Sequence, residues 1–149
     1  MDLIDDFLVH RITVDEKTEW LFLELRLSDG TAGLGEAMLG GREDLLEAAL
    51  QLTAAGLNGQ PLPSAAPPVE LLADDQATGL LEATVRSAID QALWDLRGKQ
   101  AGLPVYRMAG PVLRTEFQLY ANINRGTKDR TPEAFAARGE QAVADGFDA

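Results

Sequence analysis

The stretch Trp20-Leu21-Phe22-Leu23-Glu24-Leu25-Arg26-Leu27-Ser28-Asp29-Gly30-Thr31-Ala32-Gly33-Leu34-Gly35-Glu36-Ala37 decides the fold. Its first half alternates with a period of two. Leu21, Leu23, Leu25 and Leu27 fall on one face, and Glu24 and Arg26 on the other. That is the pattern of a half-buried strand. Trp20 and Phe22 share the charged face, so that face is only partly wet. Asp29-Gly30 is a hairpin signal, since a two-residue type I′ turn needs positive φ at both central positions. Thr31 to Glu36 is then the returning strand. Upstream, Phe7 to Val14 alternates Phe7, Val9 and Arg11 against Leu8, His10 and Ile12, and Asp15 to Thr18 is a short polar connection. Three such strands form an antiparallel meander, which must bury one face against something else.

Helices supply that cover. Arg42 to about Ala55 carries Leu45, Leu46, Ala49 and Leu50 at helical spacing and is ended by Gly56, Asn58 and Gly59. Gln60 to Asp75, rich in Pro and Ala, reads as a loop with a short turn begun by Pro68. The clearest helix runs from Thr78 to Ala101. Leu81, Val85, Ala88, Ile89, Ala92, Leu93 and Leu96 make its core stripe, Gly102 its left-handed cap, and Pro104 forbids continuation. After Pro111 the pattern predicts a strand at Phe117–Ile123, a polar loop from Asn124 to Arg130, and a helix from Pro132 to Ala144. Thr131 caps that helix, and Phe135, Gly139, Ala142 and Val143 form its stripe. Phe147-Asp148-Ala149 reads as the start of a further strand. A strand–helix unit opening a parallel sheet cannot satisfy its own edges, so the chain reads as interrupted.

The 149 residues carry 24 acidic and 13 basic side chains, a net charge of −11. Phosphate binding needs a basic surface, so nucleic acid is excluded as the expected partner. No stretch reaches the roughly 20 apolar residues that span a bilayer. The acidic start Met1-Asp2-Leu3-Ile4-Asp5-Asp6 is unlike a secretory signal, and a cytoplasmic location is expected. The chain has no cysteine and one histidine, His10, in mid-strand; no metal spacing, phosphate loop or internal repeat is present. An anionic substrate would need local basic groups or a metal against this overall field.

Four segments carry a resemblance. Asp29 to Ala37 resembles the hairpin closing the N-terminal capping domain of enolase-superfamily enzymes of the mandelate racemase/muconate lactonizing kind. Ala88-Ile89-Asp90-Gln91-Ala92-Leu93-Trp94-Asp95-Leu96-Arg97-Gly98-Lys99 is similar to that family's long capping helix. Gly102 to Gly110 resembles the segment leading to the barrel, and Gly146 to Ala149 the approach to the second barrel strand. The resemblance implies an α+β capping domain at residues 1–113 (the three-stranded meander plus helices). The first βα unit of a TIM-like (β/α)7β barrel would follow at residues 114–149. It further implies Mg²⁺-dependent abstraction of the α-proton of a small carboxylate substrate, the metal stabilising the enediolate. The implied base, a lysine of a Lys-x-Lys element, and the acidic metal ligands lie beyond Ala149. The chain alone is therefore expected to hold no catalytic or metal-binding residue and to be inactive; the intact enzyme is expected to be a homo-oligomer away from membranes.

Substrate contacts are expected at the mouth end of the first barrel strand. Asn122 stands where relatives of this kind place a small polar residue against the substrate carboxylate, with asparagine here in place of the usual serine. Asn124 and Arg125 follow, and an arginine pairs well with a carboxylate. Met38 and Leu39, in the glycine-containing loop Met38–Arg42, are expected to wall the pocket, while the Asp15–Glu19 loop is short. Asn122 to Arg125 favours acid-sugar dehydration. Muconate cycloisomerase, racemase or dipeptide epimerase activity is the alternative within the superfamily, and a non-catalytic capping-domain fragment the alternative outside it. Trp94 is expected in core or interdomain packing, Asp90 and Asp95 in ion pairs or on a solvated face, Glu36 in an interface hydrogen bond, and His10 as a plain strand residue.

Overall fold

The computed structural model describes residues 2–16, 18–62 and 79–147. The turn expected at Pro68, the helix start expected at Thr78 and the strand start at Asp148-Ala149 lie outside the described residues. The chain divides into two compact units, Met1–Pro111 and Val112–Ala149.

In the first unit β1 (Ile4–Asp15), β2 (Thr18–Leu27) and β3 (Ala32–Ala37) form an antiparallel sheet in the order β1-β2-β3. The register sets Leu21, Leu23 and Leu25 of β2 beside Arg11, Val9 and Phe7 of β1 and beside Ala37, Gly35 and Gly33 of β3. The leucine face is buried as its alternation requires: Leu21, Leu23, Leu25 and Leu27 are 1%, 0%, 0% and 2% exposed. Helices α1 (Glu43–Ala55) and α2 (Leu80–Ala101) cover it. The α2 stripe is as read except at its first member, Leu81, which is only partly buried. Val85, Ala88, Ile89, Ala92, Leu93 and Leu96 are buried, and Gly102 ends the helix at φ 63 with Leu103 N donating to Gly98 O. On α1, Leu46, Leu50 and Ala54 face the core, whereas Leu45, expected in the stripe, is 51% exposed. The stripe runs one position further round the helix than its first leucine suggested.

The hairpin differs from the two-residue turn that Asp29-Gly30 suggested. Leu27 N donates to Thr31 O, Gly30 N donates to Leu27 O, and among the described residues only glycines have positive φ, Gly30 at 87°. The loop is therefore the three-residue Ser28-Asp29-Gly30, a tight turn followed by a left-handed glycine. Asp29 keeps an ordinary backbone because its Oδ1 accepts from Thr31 N at 2.8 Å. That bond holds its carboxyl below the usual range.

β3 carries no bulky side chain toward α2. A Cβ on Gly33 would lie 2.3 Å from Ala92 O, and one on Gly35 would lie 1.8 Å from Ala88 O. The helix backbone thus rests directly on the strand, and its side chains reach around the free edge of β3. Gln91 bonds both backbone groups of Glu36, Asp95 accepts from Leu34 N at 2.9 Å, and Lys99 Nζ donates to Ala32 O at 2.6 Å. An exposed edge strand invites pairing with another chain; here one helix face satisfies it.

The first unit ends with the short helix α3 (Val105–Met108), and the second holds α4 (Ile123–Gly126) and α5 (Pro132–Ala144). The strand expected at Phe117–Ile123 is absent. Among the described residues none forms a strand pairing with 116–122; Phe117, Leu119 and Tyr120 are 75%, 72% and 72% exposed, and Ile123 opens a helical turn. A strand needs a neighbour for its backbone groups, and the described residues of this unit offer none. The α5 cap is as expected, with Thr131 Oγ1 accepting from Ala134 N. Its stripe is not: Phe135, Gly139 and Ala142 are only half-buried, and Val143 is 72% exposed. Among the described residues no helix is long and apolar enough to cross a membrane.

Candidate functional site

The loop leaving β3 holds Met38 and Leu39. Met38 is 48% exposed, whereas Leu39 packs against the core. Arg42 N donates to Leu39 O, Gly41 takes φ 76, and Gly41 N donates to Glu43 Oε1, so the loop turns tightly into α1. Two clefts flank it. One, of about 570 Å³, lies between Leu39 and Arg42 and the first turn of α2 at Leu80 and Leu81. The other, of about 430 Å³, has Met38 as one wall and Glu36, Ser87 and Gln91 among its lining. Behind the loop, Arg11 ties β1 to β2 and α1 through Glu19, Asp44 and Glu47. The Arg11 hydrogen bond keeps the Glu19 carboxyl below the usual range. These groups are solvent-exposed, so the network orients more than it stabilises.

In the second unit Asn122 caps α4, its Oδ1 accepting from Arg125 N at 3.4 Å. That use of the oxygen leaves the Asn122 amide nitrogen, a donor only, for a ligand. Asn124 Oδ1 accepts from Arg130 Nη1 at 2.8 Å, so Asn124 is already engaged. The Arg125 side chain is exposed and makes no hydrogen bond or ion pair among the described residues. Thr127, buried, donates to Ile123 O, and Arg138 donates to Gly126 O, which fixes the turn on α5. Arg130, Arg138 and Gln91 were not singled out by sequence. A polar row at every fourth residue of α2 (Gln91, Asp95, Lys99), beside its apolar row, is the signal that marks the last of these.

The remaining residues sort as follows. Asp95 pairs with Lys99 at 2.7 Å, as expected for an ion pair. Asp90 does not: its Oδ1 and the Nη1 of Arg97 are buried without a hydrogen-bond partner. Trp94 is half-buried on the flank of α2, with the Arg97 guanidinium 5.7 Å from its ring centroid. Glu36 is held through its backbone, and His10 Nε2 lies 2.8 Å from Glu24 Oε2, while Arg26 Nε donates to Glu24 Oε1. Burial pushes the Asp90 carboxyl up from its ordinary value. Between the ordinary and raised values the folded chain holds a proton that the unfolded chain does not, so stability falls as pH rises through that window. Asp90→Asn is therefore expected to stabilise the fold at pH 7, with the gain shrinking as pH drops into the carboxylate range. Urea unfolding at pH 7 and pH 4 checks this, and an equal effect at both pH values would refute it.

Among the described residues no group of three His, Cys, Asp or Glu side chains converges to hold a metal ion. No chemical step is assigned to a cation among these residues.

The sequence model of the mandelate racemase/muconate lactonizing enzyme N-terminal domain matches residues 7–110, nearly the whole first unit. The chain belongs to that family. Its antiparallel sheet under two helices is the family's capping domain. Within the mandelate racemase/muconate lactonizing family, the chain is similar to a D-gluconate dehydratase of Thermoproteus tenax. They are 45% identical over 67 residues, covering 45% of this chain and 13% of that protein. It is also similar to a D-galactonate dehydratase of Ralstonia nicotianae, 33% identical over 132 residues, covering 87% of this chain and 33% of that one. Among solved structures it is similar to an enolase from Agrobacterium radiobacter bound to Na and L-malate. The TM-score is 0.69 and the identity 31%, over 79% of this chain and 30% of that one. The chain spans a third or less of the length of these relatives.

Proposed function

We propose that these residues are the N-terminal portion of an acid-sugar dehydratase of the enolase superfamily. The observation that carries this is the 33% identity to a D-galactonate dehydratase over 87% of the chain. In such a dehydration the C2 proton of an aldonate is removed, the C3 hydroxyl leaves as water, and the resulting enol tautomerises to a 2-keto-3-deoxy acid. A C2 proton is too weakly acidic to leave unless charge on the carboxylate oxygens is stabilised as it develops. A divalent cation, Mg²⁺ in this reading, supplies that stabilisation in the intact protein together with a base, both from residues outside this chain. The 149 residues alone are then inactive.

This chain's contribution is to bind and to shield. Asn122, through its free amide donor, and Arg125, through its unpaired guanidinium, are proposed to hold anionic substrate oxygens. Asn124 orders the loop between them by its bond to Arg130. Met38 and Leu39 are proposed to form the apolar wall that excludes water. The proposed organisation is a capping domain of about 113 residues followed in the chain by a barrel beginning near Arg114, in a cytoplasmic homo-oligomer. No nucleic acid or membrane takes part.

The test is incubation of the intact protein with a panel of aldonates and aldarates, with Mg²⁺ and then with chelator, scoring 2-keto-3-deoxy acid. Turnover of at least one acid sugar, lost on chelation, is expected; none across the panel would overturn the reading. Asn122→Ala is expected to lower kcat/KM about tenfold or more, the scale of one hydrogen bond to a charged group, and unchanged kinetics would remove Asn122 from the site.

A further inference from the structure

The free edge of β3 is met by three side chains at every fourth position of α2, and each matches the group it faces. At Ala32 only the carbonyl is taken, by the Lys99 ammonium, which can only donate. At Leu34 only the N–H is taken, by the Asp95 carboxylate, which can only accept. At Glu36 both groups are taken by one carboxamide. Glu36 N donates to Gln91 Oε1 at 3.1 Å, and Gln91 Nε2 donates to Glu36 O at 3.3 Å. The second hydrogen on Gln91 Nε2 goes to Ser87 Oγ at 3.1 Å, which fixes the amide's orientation. Gln91 thus pairs with Glu36 as a neighbouring strand would, at the last edge position before Met38. It also lines the cleft of which Met38 is a wall.

Beyond Glu36, Ala37 and Leu39 pack on the core, while Met38 between them is 48% exposed. Gly40 and Gly41 follow Leu39, and a Cβ on either would meet nothing within 4 Å. We infer that Gln91 is a positioning residue: its two-way clasp on the Glu36 backbone sets where Met38 and Leu39 stand against an acid-sugar substrate. The inference rests on the proposed function for the identity of that substrate; the clasp itself is structural. Only a side chain carrying both donor and acceptor can make it. Glutamate keeps the bond from Glu36 N and loses the bond to Glu36 O, and leucine loses both.

The experiment compares the intact protein with Gln91→Leu and Gln91→Glu. Hydrogen exchange of the peptide spanning residues 36–42 is read alongside steady-state kinetics on the aldonate that the native protein turns over. Gln91→Leu is expected to speed exchange in that peptide and raise KM about fivefold, the scale of one lost hydrogen bond, with kcat held within about twofold. Gln91→Glu should fall between. A merely structural role would lower the active fraction, and so apparent kcat, while leaving KM alone. Unchanged exchange, or faster exchange with KM unchanged in an active enzyme, overturns the inference alone. A native protein that dehydrates no acid sugar overturns the functional reading and the substrate role with it, whatever the exchange data show.

Discussion

Gly35→Ala is expected to destabilise the fold by about 3 kcal/mol, the upper end of what overpacking costs. The added Cβ would lie 1.8 Å from Ala88 O and 2.7 Å from Ala88 C. Both are backbone atoms, so no rotamer change relieves the clash. Either α2 lifts from β3, opening the buried stripe at Ala88 and Ala92, or the strand bows and breaks the clasps at Leu34 and Glu36. Gly40→Ala is the control: a Cβ there meets nothing within 4 Å, and a surface change of that kind stays within about 0.5 kcal/mol. Urea unfolding followed by far-UV circular dichroism reads both. Equal midpoints for the two variants would mean that the helix does not rest on the strand.

Leu93→Ala should cost about 2–5 kcal/mol, the range for emptying a leucine site in a packed core. Leu93 is 0% exposed and lies in one cluster with Leu23, Leu25, Leu46 and Leu50. The site is formed by elements from three directions (sheet, α1 and α2), so collapse around the void is limited. Leu52→Ala, on the outward side of α1 with 79% of its surface exposed, should change stability by no more than about 0.5 kcal/mol. If the two leucines cost the same, the burial assigned to α2 is wrong.

Both predictions bear on function because the first unit is what carries the Met38 loop. That loop starts where β3 is clasped by Gln91 and ends where Glu43 receives Gly41 N. Its placement therefore depends on α2 staying in register with β3 over Gly33 and Gly35. A change in the core would reach the proposed apolar wall at Met38 and Leu39 through that contact.

Much of this was legible in the residues. The alternation from Leu21 to Leu27 announces a half-buried strand because side chains on a strand change sides at every residue. The spacing from Val85 to Leu96 announces the covering helix because residues three and four apart share a helix face. Thr131, Gly102 and Pro104 mark helix ends because capping chemistry is local. The resemblance carried by Asp29–Ala37 and Ala88–Lys99 reached the family, since it rests on residue identities in order. Contacts between segments far apart in sequence were decided only in the tertiary structure. Gly33 and Gly35 are required by a helix more than fifty residues downstream. Asp95 and Lys99 serve a strand edge as well as each other, and one carboxylate oxygen of the half-buried Asp90 is left without a hydrogen-bond partner. The apolar run at Phe117–Ile123 shows the same division from the other side. Its pattern has the composition of a strand, but a strand is a relation between neighbours, and propensity alone does not create the second member of the pair.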